Sequence, residues 1–346
     1  MYCEKSDETN HVMKKSLLVA IILIVNSSCS PTTSSESTSQ AAEGASELTN
    51  LQIGYSKLRI SLPVFVAKEQ GIFEKNGINA ELLVYETAQP LMQALVEDKV
   101  QVAGYTALPI TYNGMIRSGK ELLFLTTMIE DQEHRISYFL KSTNPEVAKK
   151  INSIGDLKGK KIGILPTIAY KAWVEEILRQ NEIDPDKDVI IQQVAPPQQP
   201  QTIKTGGVDA LFTNDPAATS SIQLGVATLI DTLVECPAYI MDPFPFGSFN
   251  VSRKWADKNP ELLKKLAKSL DEAIDFIRSN QIEAKEAMRK YLPESFQAHV
   301  QFYPDAKYLK TSESSDSTFN LVSYNYLKTN LIPQELDLRG LVYNPN

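Results

Sequence analysis

Residues 156–178, DLKGKKIGILPTIAYKAWVEEIL, contain the strand-to-helix transition around which the fold is built. Residues 160–165 form a short apolar run typical of a buried strand, and Pro166-Thr167 predicts a turn. Residues 168–180 carry apolar side chains at helical spacing on the side of Trp173. A strand that leads directly into a helix points the free N–H groups of the helix at the strand end, where anions and polar groups bind. Ligand sites of open α/β sheets gather at such ends.

Length and composition limit the possible functions. The chain has 346 residues, which is enough for two domains at roughly 150 residues each. Hydrophobic residues make up 42%, so sizeable cores can form, and the net charge of -7 argues against nucleic acid as a partner. The histidines and cysteines are scattered along the sequence, at His11, His134, His299, Cys3, Cys29 and Cys236. Their spacing matches no metal, haem or iron–sulfur pattern, so we expect no metal and no cofactor.

The N-terminus has the features of an export signal that starts at Met13. Two lysines precede the apolar run 17–25, which is far shorter than the roughly 20 residues that span a bilayer. Cys29 follows two serines and resembles the lipidated cysteine of bacterial lipoproteins, although Asn26 stands where an apolar residue is usual. Simple secretion with an incidental Cys29 is the alternative. We therefore expect a leader over 1–28 and a polar tether over 29–50, whose composition cannot bury a core.

The rest of the chain alternates strands and helices in two series, which predicts an α/β protein with mostly parallel sheets covered by helices. Predicted strands are 51–55, 78–85, 100–105, 122–128, 136–140, 160–165, 189–194, 208–212, 227–230 and 248–251. Predicted helices are 63–70, 88–97, 108–118, 144–151, 168–180, 201–205, 217–223 and a long one from Asn259-Pro260. We expect lobe 1 from 51–129 and 247–346, and lobe 2 from 130–246. A chain that crosses twice between lobes forms a hinge with a ligand cleft.

Three segments resemble one family. Residues 63–78, PVFVAKEQGIFEKNGI, resemble the A-x-x-x-G-x-F-x-x-x-G segment of bacterial solute-binding proteins for ABC importers. Residues 154–163, IGDLKGKKIG, are similar to the entry into the second lobe in the branch that binds sulfonates, taurine, nitrate and thiamine pyrimidines (the SsuA and NMT1/THI5-like group). Residues 206–210, GGVDA, followed by 214–216, NDP, resemble a third segment of that branch. The resemblance covers about residues 51–280.

The resemblance implies a type II periplasmic-binding-protein fold, in which two lobes close on a small organic solute and deliver it to a permease. It implies no catalysis. Carried over, the ligand-binding residues are Ser56, Lys57, Leu58, Tyr105, Thr106, Thr127, Met128, Pro166, Thr167, Ile168, Asn214 and Asp215. Asp215 has a second interpretation as a helix cap. Pro166 stands where sulfonate binders often carry a small polar residue, and its missing N–H argues against sulfonate or nitrate.

Charged and aromatic residues near the predicted cleft give a further indication of the solute. Lys57, Arg59 and Arg135 are the nearby cations, and surface charge is the preferred interpretation of Arg59 and Arg135. The aromatic residues that could stack on a ring or pack in the core are Tyr55, Tyr105, Tyr112, Tyr170, Phe244 and Phe246. Together with Pro166 they favour an organic, heteroaromatic or aryl-bearing solute.

The expected partners are the solute, an ABC permease and its ATPase, and the membrane through a lipid on Cys29. We expect a monomer in the periplasm or at the outer face of the cell membrane. Two alternatives remain. One is a THI5-like pyrimidine-precursor synthase, which the family associates with a cysteine-rich segment and a metal. The other is a structural lipoprotein that binds nothing.

Overall fold

The computed structural model of the chain describes residues 48–147 and 150–345, which belong to one compact unit. The predicted leader, most of the tether and Cys29 lie outside these residues. Within the described part, none of the helices combines the length and the apolar character needed to cross a membrane.

The strands form two sheets. They are β1 (Thr49–Ser56), β2 (Ile78–Tyr85), β3 (Val102–Ala107), β4 (Leu122–Glu130), β5 (Ser137–Ser142), β6 (Lys161–Ile164), β7 (Ile190–Gln193), β8 (Ala210–Asn214), β9 (Ala227–Leu229), β10 (Phe244–Ser252) and β11 (Lys307–Leu309). The first sheet has the order β11-β4-β10-β3-β1-β2, and the second has the order β7-β6-β8-β5-β9. The chain therefore passes from the first sheet to the second after β4 and returns before β10. The predicted division into lobes at 130 and 247 stays a prediction.

Helices cover both sheets. They are α1 (Leu62–Glu69), α2 (Ile72–Lys75), α3 (Ala88–Val96), α4 (Leu108–Ser118), α5 (Ile168–Gln180), α6 (Gln199–Lys204), α7 (Ala217–Gln223), α8 (Glu235–Tyr239), α9 (Arg253–Lys258), α10 (Pro260–Ser279), α11 (Gln281–Met288), α12 (Glu294–Gln297) and α13 (Asp316–Lys328). The longest, α10, buries one apolar stripe that includes Leu266, Leu270 and Ile274. Its spacing is that of an amphipathic helix at a core surface.

The strand–turn–helix transition predicted for 156–178 is confirmed. β6 is buried beyond its first residue, and Thr167 accepts a hydrogen bond from the Tyr170 N–H at 3.2 Å, which caps the start of α5. Trp173 on the inner face of α5 is fully buried and packs against Phe244 and Phe246 of β10, with ring centroids 5.3 and 5.0 Å apart. α5 therefore joins the second sheet to a strand of the first.

Backbone geometry explains the two glycines of the segment 63–78. Gly71 ends α1 with φ 64° and Gly77 leads into β2 with φ 78°. Residues with a Cβ rarely adopt such angles, so glycine fits both turns without strain. Phe73 between them is completely buried. The segment folds α1 back onto the core and starts the second strand.

Both sheets are mixed: most strands run in one direction, as predicted, and β5, β10 and β11 run against it. β1 pairs in parallel with β2 and β3, but β10 runs antiparallel between β3 and β4, and β11 is antiparallel to β4. In the second sheet β6 is parallel to β7 and β8, whereas β5 is antiparallel to β8 and β9. Alternating strands and helices predict parallel neighbours, but the two crossovers reverse the chain direction.

Two local predictions were wrong and one strand was missed. The predicted strand 248–251 is too short, because β10 already starts at Phe244 and includes Pro245. A register shift between Pro245 and Gly247 accommodates this proline, which cannot donate a ladder hydrogen bond. Residues 144–147 form a turn instead of the start of a helix, with Val147 N–H bonded to the Asn144 carbonyl. The C-terminal part of the chain contributes β11, a strand that is absent from the predicted elements.

Candidate functional site

The carboxyl ends of β1 and β8, one from each sheet, meet at a buried ion pair. Arg59 follows β1, Asp215 follows β8, and the Arg59 Nε lies 3.5 Å from the Asp215 Oδ2. Their side chains are only 3% and 0% exposed. Ligands of open α/β sheets bind beyond the carboxyl ends of strands, so this pair marks the candidate site. We call Arg59, Asp215 and the residues that contact them the cleft pair region.

Arg59 is held by backbone as well as by charge. Its Nη1 donates to the Pro304 carbonyl at 2.8 Å, and its Nη2 donates to the Arg135 carbonyl at 2.6 Å. Burial acts to lower the pKa of Arg59, but Asp215 and weaker interactions with Tyr138, Tyr308 and Glu130 raise it above its ordinary value. The guanidinium is therefore a fixed positive charge that joins three separate segments.

Asp215 uses both carboxylate oxygens. Its Oδ1 accepts the Thr219 N–H at 3.0 Å in the first turn of α7, and its Oδ2 accepts the Tyr138 hydroxyl at 3.1 Å. Burial, followed by the charge of Asp215, raises the pKa of Tyr138 well above its ordinary value, so this phenol stays a donor. Asp215 thus satisfies a helix N–H, as the cap interpretation predicts, and its Oδ2 faces Arg59, which follows a strand of the other sheet. Its role in ligand binding stays a prediction.

Arg59 Nε and Asn214 Oδ1 in this region are buried without a hydrogen-bond partner among the described residues, and so is the hydroxyl oxygen of Tyr170 on α5. Burial raises the pKa of the Tyr170 phenol well above its ordinary value, and the charges of Cys236, Glu130 and Asp215 add to the shift. Native proteins satisfy most buried polar groups, so several unsatisfied groups together need an explanation. A bound solute that supplies the missing partners is one.

A second polar network lies beside the pair, at the end of β3. Thr106 Oγ1 accepts from Asn250 Nδ2 at 3.0 Å and lies 2.6 Å from Thr111 Oγ1. Tyr105, immediately before it, has φ 73°, a left-handed conformation that costs about 1–3 kcal/mol for a bulky residue. The strained residue is fully buried, and its hydroxyl is 2.5 Å from Thr126 Oγ1. Strain of this kind concentrates at functional sites and supports assigning the end of β3 to the site.

The structure spreads the predicted ligand residues over several environments. Those that are buried are Ser56, Tyr105, Thr106, Thr127, Met128, Thr167, Asn214 and Asp215; those that are partly exposed are Lys57, Leu58 and Pro166; Ile168 is exposed. Lys57 and Leu58 line a small cavity of about 50 Å³ with Pro196, Pro197 and Phe296. Ile168 instead borders a separate groove of about 310 Å³ between α3 and α4. Thr127 donates to the Gly247 carbonyl within the first sheet.

Arg59 and Arg135 are not surface charges, which corrects the interpretation preferred from the sequence. Arg59 is buried, and the Arg135 side chain is 13% exposed and pairs with Glu235 at 3.0 Å. Tyr112 packs in the core, the second of its two interpretations, and its hydroxyl donates to the Phe319 carbonyl. Tyr138 and Asn250 were missed completely at the level of sequence. Their only sequence signal is polarity inside apolar strands, which does not show where the side chain points.

A second buried charge cluster lies where the chain crosses between the sheets. We call Glu130, Arg135, Ser137, Glu235 and Cys236 the crossover cluster. Glu130 accepts hydrogen bonds from the Ser137 N–H at 2.6 Å and the Ser137 hydroxyl at 2.8 Å. Burial is the main cause that raises the pKa of Glu130 to about 7 and that of Glu235 to about 8. Glu235 Oε1 has no hydrogen-bond partner among the described residues, so the pull of Arg135 does not offset its burial.

No group of three or more His, Cys, Asp or Glu side chains in residues 48–147 and 150–345 is arranged to hold a metal ion. Cys236 is fully buried and receives a hydrogen bond from Ser137 at 3.4 Å. Burial raises the pKa of its thiol well above the ordinary value, which makes it a poor nucleophile.

Comparison with known proteins gives one family and one fold. The profile of the NMT1-like family matches residues 44–292. Among curated proteins, the bicarbonate transport ATP-binding protein CmpC of Synechococcus elongatus is 26% identical over 259 residues, and the nitrate/nitrite binding protein NrtA of the same species is 26% identical over 273. The matches cover 71% and 72% of this chain, but only 38% and 60% of those relatives.

Among solved structures, the aliphatic sulphonate binding protein SsuA from Escherichia coli superposes with a TM-score of 0.66 at 17% identity. The match covers 85% of this chain and 97% of SsuA. It confirms the predicted type II periplasmic-binding-protein fold. At 17% identity the match establishes the fold but does not identify the solute.

Proposed function

The chain belongs to the NMT1-like family, and on that premise we propose that it is the solute-binding component of an ABC importer. It captures a small solute between its two sheets and presents it to a permease powered by an ATPase. The functions for which the relatives are named, bicarbonate and nitrate transport and sulphonate binding, support this class of activity.

The cleft pair region is the observation that carries the proposal. It brings together residues from the carboxyl ends of strands in both sheets, and it buries several polar atoms that lack partners among the described residues. A solute that enters between the sheets supplies those partners. The closed arrangement is then favoured in proportion to how much better it holds the solute than the open one does.

The predicted lobes, 51–129 with 247–346 and 130–246, are the moving parts of this proposal. The mouth of the cleft would lie at the cavity beside Lys57 and Leu58, where residues of both predicted lobes meet. The predicted ligand residues Ser56, Thr106, Asn214 and Asp215 are the ones that the cleft pair region would use. No step of covalent chemistry is involved, and the protein acts as a monomer.

Native mass spectrometry tests solute binding directly. The full chain, purified in mild detergent, is weighed before and after denaturation. A small mass that disappears on denaturation supports the proposal and identifies the solute, because a tight ligand stabilises the folded state by mass action. If the chain is empty, melting temperatures are measured with nitrate, alkanesulfonates, pyrimidines and aryl acids. No shift with any compound would favour a structural lipoprotein.

Tyr170→Phe links the bound mass to the site. The hydroxyl of Tyr170 bonds to no described residue, so its removal leaves the fold unharmed and takes away only a group available to the solute. We expect unchanged or higher stability and a smaller retained fraction of solute. The matched control is Tyr324→Phe, because Tyr324 is 45% exposed on α13. Equal retention in both variants would place the solute elsewhere.

The proposed membrane anchor belongs to residues outside the described part. Cys29 is proposed to carry a lipid that holds the protein at the outer face of the membrane, at the start of the predicted tether 29–50. Cys29→Ser is expected to release the protein from the membrane fraction and to abolish incorporation of a labelled fatty acid. A membrane-bound Cys29→Ser protein would instead indicate another means of attachment.

A further inference from the structure

The cation of the cleft is already neutralised by the protein itself. Arg59 and Asp215 are 3.5 Å apart and nearly inaccessible to solvent, so each largely cancels the electrostatic potential of the other. An anion that enters this site gains the attraction of Arg59 and meets the repulsion of Asp215 at almost the same distance. The site therefore differs from an anion trap, in which a buried cation waits without a counter-ion.

Neighbouring cations do not replace the lost attraction. The guanidinium of Arg135 is bound to Glu235 and to the carbonyls of Thr232 and Leu233. Lys57 is partly exposed to water, where charges are strongly screened.

Both members of the pair keep free hydrogen-bonding capacity. Arg59 Nε donates to no described residue, because its geometry towards Asp215 gives an ion pair without a hydrogen bond. Within the described residues, Asp215 Oδ1 accepts the Thr219 N–H, although a carboxylate oxygen offers two lone pairs. The region thus presents a donor and an acceptor side by side, and a solute that fits must offer the opposite pattern.

We propose that Asp215 is the charge-selectivity residue of the cleft. It excludes oxyanions that carry no hydrogen-bond donor, such as nitrate and methanesulfonate, and admits solutes that give Arg59 an acceptor and Asp215 a donor. This inference rests on the proposed solute-binding function and adds the class of solute. It also separates this chain from the relatives that are named for nitrate.

Asp215→Asn tests the inference because it keeps the shape and removes the charge. The full-length variant leaves Arg59 as a buried, uncompensated cation, so its melting temperature falls and millimolar nitrate or methanesulfonate restores it. We expect nitrate to bind the variant at least about tenfold more tightly than the wild type by calorimetry. The double variant Arg59→Gln/Asp215→Asn should lose this gain. Asp257→Asn, in an exposed pair with Arg253, is the matched control.

The outcomes separate selectivity from solute binding. Nitrate binding by the wild type, or a folded Asp215→Asn protein that gains no affinity for either anion, overturns the inference. If native mass spectrometry still finds a solute in the wild type, the proposed function stands. If Asp215→Asn folds only when nitrate is present, as followed by circular dichroism, the inference is supported. If it remains unfolded with nitrate while the double variant folds, the inference fails, because the anion did not replace the carboxylate.

If neither variant folds, the melting temperature of the wild type is measured with β-alanine and with propanoate. Both compounds carry a carboxylate, but only β-alanine has an ammonium donor. A larger melting shift with β-alanine supports the inference. A larger or equal shift with propanoate, including no shift with either, overturns it.

Discussion

The cleft pair region and the crossover cluster both bury charge between the sheets, but they balance it differently. Arg59 and Asp215 form one cation with one anion, and phenols and backbone carbonyls complete their coordination. The crossover cluster has two carboxyl groups, Glu130 and Glu235, and a single guanidinium. Burial raises the pKa of both carboxyl groups, and the charge of Glu130 adds to the shift of Glu235. The cleft pair thus contains its own counter-charge, whereas the crossover cluster carries a surplus of carboxyl groups.

Unbalancing the cleft should have the strongest consequence for stability. Arg59→Met leaves Asp215 buried without a counter-ion, and we expect the free energy of unfolding in urea to fall by about 4 kcal/mol. The exposed variant Arg339→Met, which breaks a surface pair with Asp337, should leave stability unchanged. If the free energy of unfolding falls no more for Arg59→Met than for the control, the buried pair contributes nothing to the stability of the fold.

The pH dependence of stability reports on the crossover cluster. The pKa values of Glu130 and Glu235 rise from an ordinary 4.5 to about 7 and about 8 on folding, chiefly by burial. The folded state therefore binds more protons than the unfolded state between these limits. Their stabilisation is fully present below pH 4.5 and is lost as the pH rises through about 7 and 8.

Urea unfolding of the wild type between about pH 6 and about pH 9 should accordingly show a decrease on the order of 4 kcal/mol. A flat profile, or stability that increases over this window, would contradict the assignment of raised pKa values to these two carboxyl groups.

Glu235→Gln should flatten that profile. The amide keeps the volume of the side chain and cannot ionise, so about two thirds of the decrease, roughly 2–3 kcal/mol, should disappear. Glu283→Gln on α11 is the matched control, since Glu283 is exposed and its replacement should leave the slope unchanged. The same slope in Glu235→Gln as in the wild type would assign the titration to other groups.

A smaller loss of stability is expected when Tyr138, whose phenol donates a hydrogen bond to the Asp215 carboxylate, is replaced. Tyr138→Phe removes a 3.1 Å hydrogen bond to the charged Asp215, which should cost roughly 1.5 kcal/mol in urea unfolding. Tyr324→Phe on the surface serves as the reference. If Asp215 finds a replacement donor, the two variants will unfold at the same urea concentration, and Tyr138 has no part in fixing the pair.

The functional groups of the site were only partly accessible from sequence. The segment 214–216 was recognised by resemblance, and Asp215 within it was named with two possible roles. Surface charge was the preferred interpretation of Arg59, because an isolated arginine in a polar loop carries no local sign of burial. Its partner follows a strand of the other sheet, and only folding brings the two together. Tyr138 lies in an apolar strand, where the sequence pattern does not reveal which side chains face the cleft.

Local features of the sequence were enough to establish the α/β class, the strand–turn–helix transition of 156–178 and the family, because periodicity, turn residues and short motifs are properties of short segments. The antiparallel course of β10, the burial of Arg59 against Asp215 and the surplus of carboxyl groups at the crossovers emerged only on folding. These depend on contacts between residues far apart in the chain. The free energy of a buried charge is set by the partners that surround it in the fold, and one stretch of sequence does not contain them.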